Sequence, residues 1–351
     1  MKRWIPLLVA ILCLLFSGCD FWLKDSYVSV KPYDVQDVEP MDEVIVANSY
    51  LSVRDALENM VEECIQNAII AIPGADENTI DYYMSAASNH IIRNNALGAY
   101  AVEEISYEIG TNAGELAIAV DIHYHYNRID ILRIKRVENI SAAVAEVQSA
   151  LQEYDAEITL FVSEYKETDF LQLVQDYVDE NPQLCVEMPR VTASVYPDSG
   201  KDRVVVLTFT YWNSREVLRS MQKNVQEVFR QLKPGTDPVN KTVENMYAFL
   251  MDRHAYTIET SITPPYSLLH YGVGDSKAFA CMFAAMCRQM GVDCRVVSGA
   301  KGGEVWYWNV YLENGDAYYV DLLRCYQEGG FYAMKQDQMS GYVWDYSAFQ
   351  E

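Results

Sequence analysis

Residues 276 to 290 read SKAFACMFAAMCRQM, and they constrain the fold more than any other stretch. Wound as a helix, this run places Ala278, Phe279, Cys281, Met282, Phe283 and Met286 on all sides. A helix that is apolar all round must be buried, so the chain has to supply protein around the whole of it. The start is marked by Gly274 and by Asp275 or Ser276, small polar residues of the kind that cap a helix. The stop is marked by Gly291. Strand-like runs follow, CRVVSG, VWYWNVYL and AYYVDLL, separated by the turns AKGGE and ENGD. The pattern predicts a buried helix laid on an antiparallel sheet, beginning after the Pro- and Gly-containing boundary LKPGTDPVN at residues 232–240.

Four short motifs in this stretch, GDSKAFA, GVDCRVVSG, WYWN and YYVD, occur in an order that resembles the transglutaminase-like superfamily, relatives of the papain-like cysteine proteases. In that family a cysteine at the mouth of a buried helix, a histidine in an H-x-W-N strand and an aspartate after a V-D strand form the catalytic triad. The resemblance implies a transglutaminase-like α+β domain over 240–351, with Ser276 at the cysteine position, Trp306 at the histidine and Asp321 at the aspartate. A thiol at a helix N-terminus beside an imidazole is held as a thiolate, because the helix dipole and the cation both favour the anion. A serine hydroxyl needs a general base still more, and the nitrogen of an indole only donates.

Three residues near Ser276 are candidates to rescue catalysis. Cys281 lies roughly 140° around the helix from it, which directs Cys281 into packing. His270 precedes the helix in a loop. Lys277 is adjacent to Ser276, and neighbours on a helix do not face each other. The implied reading is therefore a catalytically degenerate domain with no catalytic residues, Ser276 being a cap. Ser276, Trp306, Trp308 and Asp321 would line a groove that binds a peptide, protein or glycan without cofactor or metal. The alternative left open is a serine-dependent peptidase or acyltransferase with Ser276 as nucleophile and Asp321 in support.

The N-terminus carries Lys2 and Arg3, then the apolar run WIPLLVAILCLLF, then SGC. A run this short does not span a bilayer comfortably, which takes about 20 residues; it reads as an export signal. LFSGCD also resembles a bacterial lipoprotein signal, in which Cys19 becomes the lipidated first residue. Phe16 stands where leucine is usual, and an ordinary signal peptide is the alternative. The expectation is a signal over 1–18, an acidic aperiodic tether over 19–43 and a membrane-anchored protein on the outer face of the membrane. Cys64, Cys185, Cys281, Cys287, Cys294 and Cys325 remain in the body, without the spacing of a metal site, and read as buried thiols.

Between tether and C-terminal domain the sequence predicts two related α+β modules of β-α-β-β-α type, over 44–152 and 153–233, the first with an extra helix. A helix over about 129–151 closes the first. Ile122, Tyr124 and Tyr126 are matched with Leu207, Phe209 and Tyr211, and His123 and His125 with Thr208 and Thr210. Asp121, His123 and His125 share a strand face, which suggests metal ligands, but solvent-facing strand residues explain them better because threonines replace the histidines in the second module. The formal charge of −23 argues against a nucleic-acid partner, which requires a basic patch.

Overall fold

The computed structural model describes residues 44–112, 114–252 and 257–345. The expected signal, Cys19 and the tether lie outside the described residues. The first unit comprises β1 (Val44–Val46), α1 (Tyr50–Glu62), β2 (Asn67–Ala71), α2 (Glu77–Asn94), α3 (Ala96–Ala101), β3 (Val102–Asn112) and β4 (Glu115–Tyr124). Its sheet runs β1-β2-β4-β3, with β1 parallel to β2 and the other pairs antiparallel. The helices form where the sequence repeats apolar residues at helical spacing. In α1 these are Val53, Ala56, Leu57 and Met60, behind a capping box in which Ser49 and Ser52 bond each other's backbone.

The second unit comprises α4 (Arg128–Leu132), β5 (Lys135–Val137), α5 (Ile140–Glu153), β6 (Glu157–Val162), α6 (Phe170–Glu180), β7 (Arg190–Tyr196), β8 (Arg203–Thr210) and α7 (Arg215–Gln231). Its sheet runs β5-β6-β8-β7, again with only the first pair parallel.

Each sheet therefore follows a β-α-β-α-β-β path rather than β-α-β-β-α, and two strands were not expected. β2 lies where apolar residues continue the helical spacing of α1; Cys64, at φ 55°, takes the left-handed conformation that stops the helix. β5 interrupts the helix expected over 129–151. It is held by parallel pairing with β6, and Asn139 restarts the chain as α5 by accepting from the Ala142 amide at 3.0 Å. The second sheet thus begins at Lys135, well before residue 153. The matching of the two units also moves. Ile122 donates its N–H to Gln66 O at 2.8 Å, and Phe209 donates to Ala156 O at 2.8 Å, so Phe209 is the equivalent of Ile122, and Thr210 that of His123. A two-residue slip keeps every side chain on its face, because the strand period is two; face pattern alone could not detect it.

The last domain comprises α8 (Val239–Asp252), β9 (Thr257–Ile258), α9 (Pro264–Tyr271), β10 (Val273–Gly274), α10 (Ser276–Gln289), β11 (Cys294–Lys301), β12 (Glu304–Glu313), β13 (Asp316–Val320), α11 (Leu322–Gln327) and β14 (Tyr342–Val343). Its antiparallel sheet runs β13-β12-β11-β14. α10 is the apolar helix, buried as its composition requires: Met282, Phe283, Ala284, Met286 and Cys287 are all fully inaccessible. It packs on β11, β12, α8 and the second unit's α6. One core joins Leu218, Val225 and Phe229 of α7 to Leu250, Phe279 and Phe283 of the last domain. The boundary near residue 235 is a connection over a continuous core, and α10 is seated by both sides of it.

Candidate active site

Ser276 is the first residue of α10, and the cap belongs to its neighbour. Asp275 is the extended N-cap, accepting from the Ala278 amide through Oδ1 at 2.8 Å and from the Thr260 hydroxyl through Oδ2 at 3.3 Å. The expectation of Ser276 as the cap is corrected: a carboxylate outcompetes a hydroxyl at the positive end of the helix. Ser276 is 8% exposed, and among the described residues no hydrogen bond reaches its hydroxyl. It stands at the start of a buried helix, where an anion would be stabilised.

The other two positions do meet. Trp306 on β12 donates its indole N–H to Asp321 Oδ2 at 2.9 Å. Asp321, 1% exposed, follows β13 and caps α11, its Oδ1 accepting from the Arg324 amide at 3.2 Å. Oδ2 also receives the Lys301 ammonium and the Tyr342 hydroxyl, each at 2.7 Å. One buried carboxylate thus ties together β11, β12, β14 and α11. The Lys301 ammonium lies 4.9 Å from the Trp306 ring centre and 5.2 Å from that of Tyr342, within the range of cation–π attraction. Burial first, and then the Asp321 charge and hydrogen bond, raise the Tyr342 phenol well above its ordinary value, so it stays a donor.

Lys301 and Tyr342 belong to this cluster and were not singled out from sequence. The turn AKGGE marks the hairpin that carries Lys301, but nothing local says its side chain folds back onto residue 321. Gly299 lies opposite Trp306 in the β11–β12 register. A Cβ there would overlap the Val343 carbonyl and come within 2.6 Å of the Trp308 ring, so glycine is what lets β14 and the indoles close over the carboxylate.

The rescue candidates are placed elsewhere. Cys281 is 7% exposed, and burial pushes its thiol up to about 12. Lys277 points away, its ammonium 2.8 Å from Asp179 Oδ2 on α6. Burial lowers its pKa, and the Asp179 hydrogen bond and charge more than offset that, leaving it raised. His270 stacks on Tyr266 at 5.0 Å and meets Tyr271 edge-on at 4.6 Å. Trp308 is fully buried, edge-on to Tyr342 and Trp344; it fills the core behind the carboxylate and lines no groove. The six body cysteines are free and buried. His123 and Asp121 are 3.4 Å apart on β4, and no cluster of three metal-ligating side chains occurs among the described residues.

Residues 226–336 match the family profile described as the Transglutaminase-like superfamily, so the chain carries a transglutaminase-like domain, beginning within α7. Solved structures with some likeness are a candidate cysteine protease from Cytophaga hutchinsonii (10% identity, 44% of this chain and 70% of that one, TM-score 0.23), and a candidate protease from Parabacteroides distasonis (9%, 72% and 39%, TM-score 0.22). A third is described as a TGase (10%, 53% and 55%, TM-score 0.21). No curated protein matches the chain.

Proposed function

We propose that this is a binding protein of the cell envelope, whose transglutaminase-like domain does no chemistry and holds a peptide, protein or glycan at the mouth of α10. The observation that carries this reading is the Trp306–Asp321 hydrogen bond. A general base must accept a proton, and the ring facing Asp321 can only donate one. The carboxylate is itself engaged by Lys301, Trp306, Tyr342 and the Arg324 amide. Trp306 is half-buried and packs against the core that holds α10, and in this reading the part of its ring left accessible is the stacking surface. The envelope location rests on the Lys2-Arg3 start, the short apolar run and Cys19 as the lipidated residue. Among the described residues no helix is long and apolar enough to cross a membrane. In this reading a lipid on Cys19 is the attachment.

The test treats the full chain with a serine-reactive fluorophosphonate, maps adducts by mass spectrometry and uses Ser276→Ala as control. The expected result is no adduct at Ser276. A Ser276 adduct absent from the control refutes the reading and revives the serine-dependent alternative.

A further inference from the structure

The two units at the N-terminal side differ in one respect that the fold makes conspicuous. The outer face of the second sheet is covered: Phe161 and Val204 point away from their own helices and are buried in the first unit's core. The element that covers them is α3, whose Tyr100 ring meets Tyr196 on β7 at 5.7 Å. Among the described residues no other helix or strand packs on the equivalent face of the first sheet. Val46 is 68% exposed there and Ile69 40%.

That bare face is also hollow. Through the pairing equivalence of Ile122 with Phe209, the bulky Phe161, Val204 and Val206 of the second sheet correspond to Ala71, Ala117 and Ala119 of the first. A trough of about 460 Å³ lies over the last of these, Ala119, lined also by Asn67, Ile69, Ser106, Glu108 and Asp121. Its far side is acidic. Glu104, Glu108 and Asp121 stand at outward positions of β3 and β4, and no lysine or arginine occupies an outward position on the four strands. Asp121 Oδ2 faces His123, but its Oδ1 is covered and has no hydrogen-bond partner, an acceptor without a donor.

We propose that this face docks a basic amphipathic helix of a partner protein, its apolar stripe in the trough over Ala119 and its cationic side chains towards Glu104, Glu108 and Asp121. The second sheet shows that a face of this topology takes a helix. Charge selects among the occupants. The chain's own residues 20–43 hold seven acidic residues against two lysines and would be repelled. Two copies joined face to face would set these carboxylates against each other, and the layer that covers the second sheet, α3, is already used within the chain. An anionic membrane surface fails by the same sign.

The probe is a synthetic peptide helix with leucine on one face and lysine on the other, titrated onto the full chain at physiological salt. A peptide of the same composition with scrambled order and a leucine–glutamate helix are the controls. The patterned basic peptide is expected to bind at least about tenfold more tightly than either control, and to protect amides of β2 and β4 from hydrogen exchange. Ala119→Phe, which fills the trough without changing charge, is expected to weaken it about tenfold (about 1.4 kcal/mol), as is the surface pair Glu108→Gln with Asp121→Asn. Equal binding of the scrambled peptide, or indifference to both variants, overturns the proposal as mere attraction to an acidic chain. So does a dimer by sedimentation that Ala119→Phe dissociates, which would make the occupant a second copy.

Discussion

Asp321 tests the structural reading of the site most directly, because catalysis and architecture predict opposite consequences for its removal. Asp321→Ala takes the acceptor from three side chains and one amide at once. The Trp306 indole and the Tyr342 hydroxyl lie inside the fold, Tyr342 being 6% exposed, and an unsatisfied buried donor costs about 1–3 kcal/mol. Lys301 is 29% exposed; its ammonium can turn to water and adds little. Loss of one partner from a buried, hydrogen-bonded charge cluster costs about 3–5 kcal/mol, which is the magnitude expected here. Asp321→Asn keeps the shape and one oxygen. Turned towards Trp306, Lys301 and Tyr342, that oxygen serves all three, while the new amide meets the Arg324 N–H donor to donor and the charge attraction to Lys301 is gone. The expected cost is smaller, about 1–2 kcal/mol.

The assay is urea unfolding followed by tryptophan fluorescence, since Trp306 bonds the carboxylate and Trp306, Trp308 and Trp344 share a cluster with Tyr342. The midpoint should fall in the order wild type, Asn, Ala, with little change in slope. If Asp321→Ala costs less than about 1 kcal/mol, the four donors do not depend on the carboxylate. Its presence would then need a functional explanation.

Three further outcomes follow from the same core and its neighbours. Gly299→Ala should destabilise by about 1–3 kcal/mol through overpacking against Trp308 and β14; an unchanged melting temperature would contradict the close approach. Burial raises Cys185 and Cys281 to about 12 and Cys64 and Cys325 to about 11, so iodoacetamide at pH 8 should leave these four thiols unmodified in the native protein and label them in urea, as read by peptide mass mapping. A fast native adduct on one of the four would contradict its burial. The Lys277 pKa is raised in the fold, so its bond to Asp179 stabilises fully below about pH 10 and is lost as pH rises through the folded value. Lys277→Met should therefore flatten the fall in stability above about pH 10; an unchanged alkaline limb removes the bond from the account.

The legible parts of the fold were those with a strong local period. α10 was readable because no arrangement of SKAFACMFAAMCRQM yields a wet face, and the β11–β13 meander because ENGD and AKGGE are turns between alternating strands. β2 and β5 were not readable. Each is short and takes its conformation from a partner strand, Asn67–Ala71 from β4 and Lys135–Val137 from β6, so tertiary pairing overrode a local helical pattern. The site divides in the same way. Motif order singled out Trp306 and Asp321, which meet, but a motif does not say who else reaches a carboxylate. Lys301 and Tyr342 come from a hairpin end and a two-residue strand, twenty residues either side of Asp321 or nearly so, and only folding brings them together. Trp308 misled because alternate strand aromatics look alike in sequence whether they face a cleft or a core.

These contacts also explain why the three positions of the triad can differ so unequally. A residue at the head of α10 carries no architectural duty, since Asp275 already satisfies the helix end, so serine is tolerated there. Position 306 must present a ring N–H to the carboxylate, and an indole does this as well as an imidazole would while filling more space. Position 321 has no such freedom. A residue without a side-chain oxygen there strands the Trp306, Lys301 and Tyr342 donors together, and asparagine still sets its amide against the Arg324 N–H. The aspartate is therefore held by the fold whether or not the domain catalyses anything. Its presence beside a donor-only ring is what a scaffold without chemistry would preserve, and by itself it is no sign of a surviving active site.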